Sequence, residues 1–436
     1  MSQERTQAYA KATSGGADCA SPGIEPRLAL ANKVFSAKKL LLARMMESLG
    51  NPPLDLVLWD GQEIASPGKP PLARVLILDR RALLKLIANP ELAFGEMYAA
   101  GRIEVQGNLV DCLEAIYRAL PRADHGQIAK KLLAPFNGPL RNTQPRARRN
   151  IHHHYDIGND FYKLWLDRDL VYTCAYFPDP AMGLEEAQAA KLDYVCRKLR
   201  LAPGETVLET GCGWGALALH MAKHYGATVK AYNISKEQIA YARERARAEG
   251  LDGRVQFIED DYRNAGGEFD AFASVGMLEH VGTDQYHALG TVIDRCLKDT
   301  GRGLIHSIGR DRPSPMTPWI ERNIFPGACP PSLSQMTQIF EPFGFSVLDV
   351  ENLRLHYAKT LEHWLERYEA NIERVAQMFD PAFVRAWRLY LAGSLAAFRS
   401  GDMQLFQVSF NRSGQNRIPW TRQYLYSCQK PAGGNL

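Results

Sequence analysis

The nine residues Val207-Leu208-Glu209-Thr210-Gly211-Cys212-Gly213-Trp214-Gly215 restrict the fold of this chain more than any other stretch. An apolar run ends in an acid, passes through three alternating glycines and re-emerges near Ala216 with helical spacing. A strand, a tight turn and a helix satisfy that order. In open α/β sheets such a turn, at the carboxyl end of a strand, is where ligands bind, because glycine lets backbone approach them closely. A dinucleotide site would read G-x-G-x-x-G, with an acid about 20 residues later at the end of the next strand. Here the spacing is G-x-G-x-G and the next strand ends in Tyr232-Asn233, which argues against a nicotinamide dinucleotide.

From about residue 203 onward, strand-like runs at 206–209, 228–232, 255–259, 271–275 and 303–308 alternate with helical stretches, and 346–350 and 404–410 add two later strands. This predicts an α/β domain with a mostly parallel, seven-stranded sheet. A chain of 436 residues is long enough for more than one folding unit. The expected division is a Ser/Gly/Ala-rich tail at 1–25, a small mixed α+β domain at 26–121, a basic linker at 122–149 and a catalytic domain at 150–436. In the small domain the pattern predicts helices at 28–49, 80–88 and 109–120 and strands at 54–59 and 74–78, with turns at Asn89-Pro90, Gly101 and Gly107.

Charge is unevenly placed. Residues 1–150 carry 21 basic and 14 acidic side chains and the remainder 31 and 34, so the overall +4 is a front portion of +7 followed by −3. Within 122–149, Arg122, Lys130, Lys131, Arg141, Arg146, Arg148 and Arg149 face a single acid, Asp124, and alternate with Leu132, Leu133, Phe136 and Leu140. Two readings stand: a solvated linker, or a surface for anionic phospholipid headgroups into which the apolar side chains insert. A near-balanced total excludes a polycation of the kind that coats nucleic acid, and no nucleic-acid partner is expected. No window approaches the ~18 uninterrupted apolar residues of a membrane span, and the amino terminus has no secretory apolar core. The eight cysteines form no C-x-x-C pair, so reduced thiols in the cytoplasm are expected. His152-His153-His154 cannot converge on one ion from a regular element, and no metal is expected.

The acid-then-G-x-G-x-G loop resembles motif I of the class I S-adenosylmethionine-dependent methyltransferases. Further motifs narrow the resemblance: His154-Tyr155-Asp156-Ile157-Gly158-Asn159-Asp160-Phe161-Tyr162, Tyr172-Thr173-Cys174-Ala175-Tyr176-Phe177, Leu184-Glu185-Glu186-Ala187-Gln188, Asn233-Ile234-Ser235-Lys236-Glu237-Gln238, Asp260-Asp261-Tyr262-Arg263, Val275-Gly276-Met277-Leu278-Glu279-His280-Val281-Gly282 and Gly303-Leu304-Ile305-His306-Ser307-Ile308-Gly309. Together, over about residues 148–412, they resemble the cyclopropane fatty acid synthase family, mycolic acid cyclopropane synthases included. The front domain resembles, more loosely, the lipid-engaging amino-terminal domain of the bacterial phospholipid enzymes.

That resemblance implies a Rossmann-like class I methyltransferase domain that moves a methylene from S-adenosylmethionine onto the cis double bond of an unsaturated phospholipid. The cofactor contacts it implies are Tyr172, Thr173, Glu209, Gly211, Cys212, Gly213, Trp214, Gly215, Asn233, Ile234, Ser235, Gln238, Asp261, Tyr262 and Arg263. It places a bound bicarbonate, the base, against Cys174, Glu279, His306 and Tyr357, with Ser394 standing where many members have a cysteine. Asn233 likewise replaces a common threonine. Attack by an alkene leaves a carbocation, so water must be excluded, and the faces of Tyr172, Tyr176 and Phe177 are candidates to stabilise it. The segment 313–331 around Phe325-Pro326-Gly327 reads either as a rigid loop over an acyl channel or as an ordinary surface loop. A fatty-acyl C-methyltransferase and a non-catalytic lipid-binding relative are the alternatives. The resemblance also implies peripheral attachment to the inner face of the membrane and is compatible with a homodimer. If the basic front docks on an anionic bilayer, raising salt should weaken binding to anionic liposomes far more than binding of the cofactor in parallel titrations; salt-insensitive liposome binding would remove the charge argument.

Overall fold

The computed structural model describes residues 40, 42–66, 70–120 and 157–426. The expectations for the tail, the basic stretch 122–149 and His152-His153-His154 lie outside the described residues. Residues 42–48, in a first compact unit that ends at Ser48, are helical. Everything from residue 49 onward belongs to the second compact unit.

That second unit holds two modules. In the smaller, strands β1 (Leu54–Leu58), β2 (Glu63–Ile64), β3 (Ala73–Ile77) and β4 (Ile103–Gly107) form a sheet in the order β2-β1-β3-β4, with β1 and β3 parallel. Helices Arg80–Ala88, Pro90–Ala99 and Leu109–Ala119 accompany it. The Asn89-Pro90 pair read as a turn is the start of a helix: the Asn89 side chain accepts from Leu92 N and Pro90 opens the first turn, where its missing N–H costs nothing. Gly101 and Gly107 bracket β4, a strand the sequence pattern did not show because only Ile103 and Val105 mark it as apolar.

In the larger module, β5 (Thr206–Thr210), β6 (Thr228–Asn233), β7 (Val255–Glu259), β8 (Phe269–Val275), β9 (Leu297–Gly309), β10 (Phe345–Asn352) and β11 (Gln404–Arg412) form one sheet in the order β10-β11-β9-β8-β5-β6-β7. Five neighbouring strands are parallel, and β11 runs antiparallel between β9 and β10. All seven strands expected from the sequence are present, in a class I methyltransferase arrangement. Helices cover both faces, which is why the central strands are apolar throughout. On one face Val207, Val229, Ala231, Ala273 and Leu304 pack with Val195, Leu217 and Ala242; on the other Leu208, Phe272, Ile305 and Phe410 pack with Leu289, Ile293, Met336 and Ile339. The reversal of strand order between β5 and β8 opens a crevice at their carboxyl ends.

Helix Pro381–Ser400 joins the modules. Arg385 lies 4.4 Å over the Tyr98 ring, donates to Tyr98 O (2.6 Å) and Ile103 O (3.0 Å), and pairs with Glu104 at 3.1 Å. Gly95, in helix Pro90–Ala99, lies so close to buried Trp319 that a Cβ would sit 2.4 Å from the indole. In an unobstructed helix Gly→Ala gains ~1 kcal/mol. Here Trp319 would have to shift, at an overpacking cost of ~1–3 kcal/mol. Gly95→Ala is therefore expected to lower the melting temperature; an increase in calorimetry would disprove the close seat.

Candidate active site

A cavity of about 1100 Å³, its open mouth included, lies at the carboxyl ends of β5, β6, β7 and β8. Each wall is built by a short-range device. The Gly211 and Cys212 amides donate to Tyr232 O (2.9 and 3.2 Å), folding the glycine loop against β6. Gly215 turns that loop into helix Ala216–Tyr225 at φ +87°, where a Cβ would meet Phe257 at 2.6 Å. Only glycine fits both the left-handed backbone and the space. At the end of β6, the Asn233 amide donates to Gln238 Oε1 (2.7 Å) and Gly213 O (3.3 Å), while its oxygen accepts from Ile234 N. Ser235 caps helix Lys236–Ala248 by accepting from Gln238 N. After β7, Asp261 accepts from Arg263 N (3.0 Å) and Nε (2.8 Å).

Of the expected cofactor contacts, Tyr172, Thr173, Glu209, Gly211, Cys212, Gly213, Trp214, Asn233, Ile234, Gln238, Asp261, Tyr262 and Arg263 line this cavity. Gly215 and Ser235 stand behind it and shape the turns. Asp260, Lys191, Gly276, Met277 and His280 also line it and were not among those contacts. Asp260 and the Gly276–His280 stretch lay in motifs already singled out. Lys191 gave no such signal beyond its place one helical turn after Gln188.

Aromatic rings pack on and beside the cavity's lining. Tyr172 and Tyr390 share a hydrogen bond between their hydroxyls (2.7 Å), Phe325 meets Tyr390 and His280 with ring centroids 5.5 Å apart, and the Trp214 indole donates to Asn159 Oδ1 (2.7 Å). Burial holds His280 well down, to about 4, so it is neutral at ordinary pH. Residues 313–331 thus place Phe325 against a cavity residue. Tyr176 and Phe177 do not face the cavity: Tyr176 stacks on Tyr194 (4.2 Å) and His356 (4.9 Å), and Phe177 stacks on His363. Tyr172 alone of those three rings is placed for cation contact, because the stacks on Tyr194, His356 and His363 hold the other two away from the cavity.

Inside, acids are kept out of water. Burial pushes the Glu209 pKa up to about 8, opposed by Lys191, whose own value burial lowers to about 8. None of the expected catalytic residues lines the cavity itself; Cys174, Glu279 and His306 adjoin residues of its wall, while Tyr357 and Ser394 stand on helices Arg354–Ala370 and Pro381–Ser400. Glu279 follows β8 on the turn Leu278–His280, two residues beyond Met277, and its Oε1 accepts from Ile308 N at 2.5 Å. Burial pushes Glu279 up to about 7 against the hydrogen bonds from the Ile308 amide and Ser307. His306 pairs across the ladder with Val275, its carbonyl accepting from Gly276 N (2.9 Å). Its Nδ1 lies 2.9 Å from the Gln407 amide nitrogen. An amide nitrogen only donates, so Nδ1 accepts and Nε2 carries the proton. Burial keeps that ring neutral. Glu279 Oε2 and His306 Nε2 are both buried without a partner.

Cys174 is fully buried next to Thr173; its thiol donates to Ala175 O, and burial raises its pKa further. Tyr357, in helix Arg354–Ala370, packs on Phe398 and Trp364. Ser394 is half-buried on helix Pro381–Ser400.

The model of the mycolic acid cyclopropane synthetase family matches residues 142–408, and that of a domain of unknown function matches 41–122. The chain belongs to the mycolic acid cyclopropane synthetase family. It is 39% identical over 344 residues to the cyclopropane-fatty-acyl-phospholipid synthase of Escherichia coli, covering 77% of this chain and 86% of that one. It is 35% identical to a probable fatty acid methyltransferase of Pseudomonas putida over 86% of this chain and 96% of the relative. Among solved structures, the mycolic acid cyclopropane synthase CmaA1 complexed with SAH and CTAB superposes with a TM-score of 0.58 at 30% identity, over 63% of this chain and 99% of that one. The protein is accordingly an S-adenosylmethionine-dependent methyltransferase of a lipid-modifying family, and its cofactor is S-adenosylmethionine.

Gly276 gives this family member's cavity a sharp test. At φ +75° a Cβ there would lie 2.6 Å from the Thr173 methyl. Gly276→Ala should displace Thr173 and weaken S-adenosylhomocysteine binding at least about tenfold, the effect of ~1.4 kcal/mol. Unchanged affinity in calorimetry would show that Thr173 does not shape the site.

Proposed function

We propose that this protein is a cyclopropane-fatty-acyl-phospholipid synthase, acting at a membrane surface on cis-unsaturated acyl chains. The observation that carries this reading is the pair of buried, unpartnered polar atoms on Glu279 and His306, next to the Gly276–Met277 wall of the cofactor cavity. A buried polar atom without a protein partner calls for one from water, an ion or a ligand, and a small polar ligand reaching both would supply it.

When bound, S-adenosylmethionine supplies an electrophilic methyl at its sulfonium. Glu209 offers the cofactor's ammonium a counter-charge, and the glycine loop with Asn233 and Gln238 shapes its seat. Tyr172, Trp214 and neutral His280 present ring surface to a developing cation without offering it a nucleophilic charge. Transfer of that methyl to an alkene would leave a carbocation, which these rings would shield from water until a base takes a proton from the added carbon and the ring closes. Bicarbonate suits the donor set: His306 Nε2–H would hold its oxygen and Glu279 Oε2 its hydroxyl, and it would supply a base. Glu279 must be ionised to accept a proton at Oε2, so turnover should rise as pH rises through about 7. Ser394 has no thiolate to offer, and this chemistry needs none. The basic residues 122–149 are the proposed contact with anionic headgroups.

A second reading has its own support. The relatives that span most of both modules include fatty acid methyltransferases, the tuberculostearic acid methyltransferase of Mycobacterium tuberculosis among them, at 33% identity over 89% of this chain and 94% of its own. Such an enzyme makes the same cation and loses a different proton. Liposomes of cis-monounsaturated phospholipid, incubated with methyl-deuterated cofactor and bicarbonate, separate the two. High-field ring signals in proton NMR, with two deuteriums retained per added carbon, are expected; a methyl-branched alkene would establish the second reading. Glu279→Gln should reduce turnover, abolish the limb near pH 7 and leave cofactor affinity nearly intact; a matching collapse of affinity would refute its role.

A further inference from the structure

Lys191 is the least expected group in the cavity. A lysine is seldom fully buried without a paired acid, yet Lys191 is 2% exposed and no acid lies within ion-pair distance among the described contacts. Its Nζ instead donates to Thr173 Oγ1 at 2.8 Å. One turn earlier on the same helix, the Gln188 amide donates to Val171 O (3.1 Å) and Thr173 O (2.9 Å). The two side chains fasten residues 171–173 along the cavity wall, and the Thr173 methyl abuts Gly276.

The second observation is Glu209. It is buried on β5 beneath the glycine loop, lines the same cavity, and its Oε2 has no partner. Among the described residues, Lys191 is the charged group that acts on it to favour the ionised form.

We propose that Lys191 is a positioning residue for the amino-acid end of the cofactor: its ammonium fastens Thr173 and faces Glu209 as a counter-charge, so that the ligand's own ammonium meets a carboxylate. This rests on the reading of Glu209 as a cofactor contact. The groups facing Lys191 come from each element around it. Asp167 on the preceding loop and Glu209 on β5 favour its charge when ionised, Cys174 beyond Thr173 faces it as a neutral thiol, and His306 on β9 and His220 on helix Ala216–Tyr225 lie within its field and are kept neutral. Burial raises the carboxyl of Asp167 to about 6, so it is ionised at neutral pH and supports the lysine's charge from the far side.

The sign of the pH effect follows. Glu209 titrates near 8, far above an ordinary carboxyl, so affinity for a ligand ammonium should rise as pH rises through that value. Removing the opposing positive charge raises the midpoint, and each pH unit of upward shift lowers affinity at pH 7 by about tenfold. The experiment is calorimetric titration of S-adenosylhomocysteine from pH 6 to pH 9 into the wild-type chain, Lys191→Gln, Lys191→Arg and Glu209→Gln. Lys191→Gln keeps a donor for Thr173 and discards the charge, whereas Lys191→Arg keeps the charge. The expected result is an upward midpoint shift in Lys191→Gln alone, with a flat, weak profile in Glu209→Gln. Equal shifts in both lysine variants, or none in Lys191→Gln, would overturn the role of the charge. A wild-type profile in Glu209→Gln would overturn the reading of Glu209 itself, and separates the two failures.

Discussion

The fastening of residues 170–177 to helix Leu184–Lys198 is the interaction on which the rest of the site depends. This segment has no regular structure, so its backbone groups need individual partners if they are to be buried. They have them: Gln188 takes the Val171 and Thr173 carbonyls, Tyr176 N donates to Ala187 O, Ala175 N to Thr360 Oγ1, and Phe177 N to His356 Nδ1. One irregular stretch therefore carries Tyr172 and Thr173 into the cavity and Cys174 into the core behind it. Were the helix to shift, all three would move together.

The electrostatics of the site follow from the same burial. Glu209 and Glu279 both lie at carboxyl ends of strands, where the sheet's apolar faces exclude water, and both titrate well above an ordinary carboxyl. Desolvation disfavours the charged form of each, so between an ordinary carboxyl range and pH 7–8 the folded chain holds protons that the unfolded chain has lost. Stability contributed by these two groups declines as pH rises through that window. The fold accepts this because the chemistry requires acids that are dry and still able to ionise. Glu209 has Lys191 to favour its charge; Glu279 has only hydrogen bonds, from the Ile308 amide and Ser307. The difference suits one acid that meets a cation and another that exchanges a proton.

Strands and glycine turns were legible in the sequence because their determinants are local. Val207 to Gly215 encodes its own strand, turn and helix start, and Asn233, Ser235 and Asp261 each bond to residues within five positions. What the sequence concealed was set by distant packing. Tyr176 and Phe177 read like Tyr172, yet the ring stacks on Tyr194, His356 and His363 decide which way they face. Pro90–Ala99 was hidden for a different reason: asparagine followed by proline serves equally as a turn and as a helix start, and Ala93, Met97 and Tyr98 find their core only against other elements. Lys191 was hidden most completely, since nothing in a helical lysine's neighbours announces burial.

The same logic bears on the small module. Its charge pattern invited the picture of a docking element tethered to a catalytic one, but helix Pro381–Ser400 serves both. Its first turns give Arg385 to Tyr98, Ile103 and Glu104 of the small module. Five residues later the Tyr390 hydroxyl shares a hydrogen bond with that of Tyr172, which lines the cofactor cavity, and its ring meets Phe325. Trp319, which precedes Phe325 in the same segment, packs flat against Gly95. Two connections thus run from the small module towards the cavity's lining, one through a helix and one through a loop, and both end on aromatic rings. No described residue of the small module lines the cavity, yet the helix that carries Tyr390 and the segment that carries Phe325 are held by it, through contacts that a catalytic domain alone would lack.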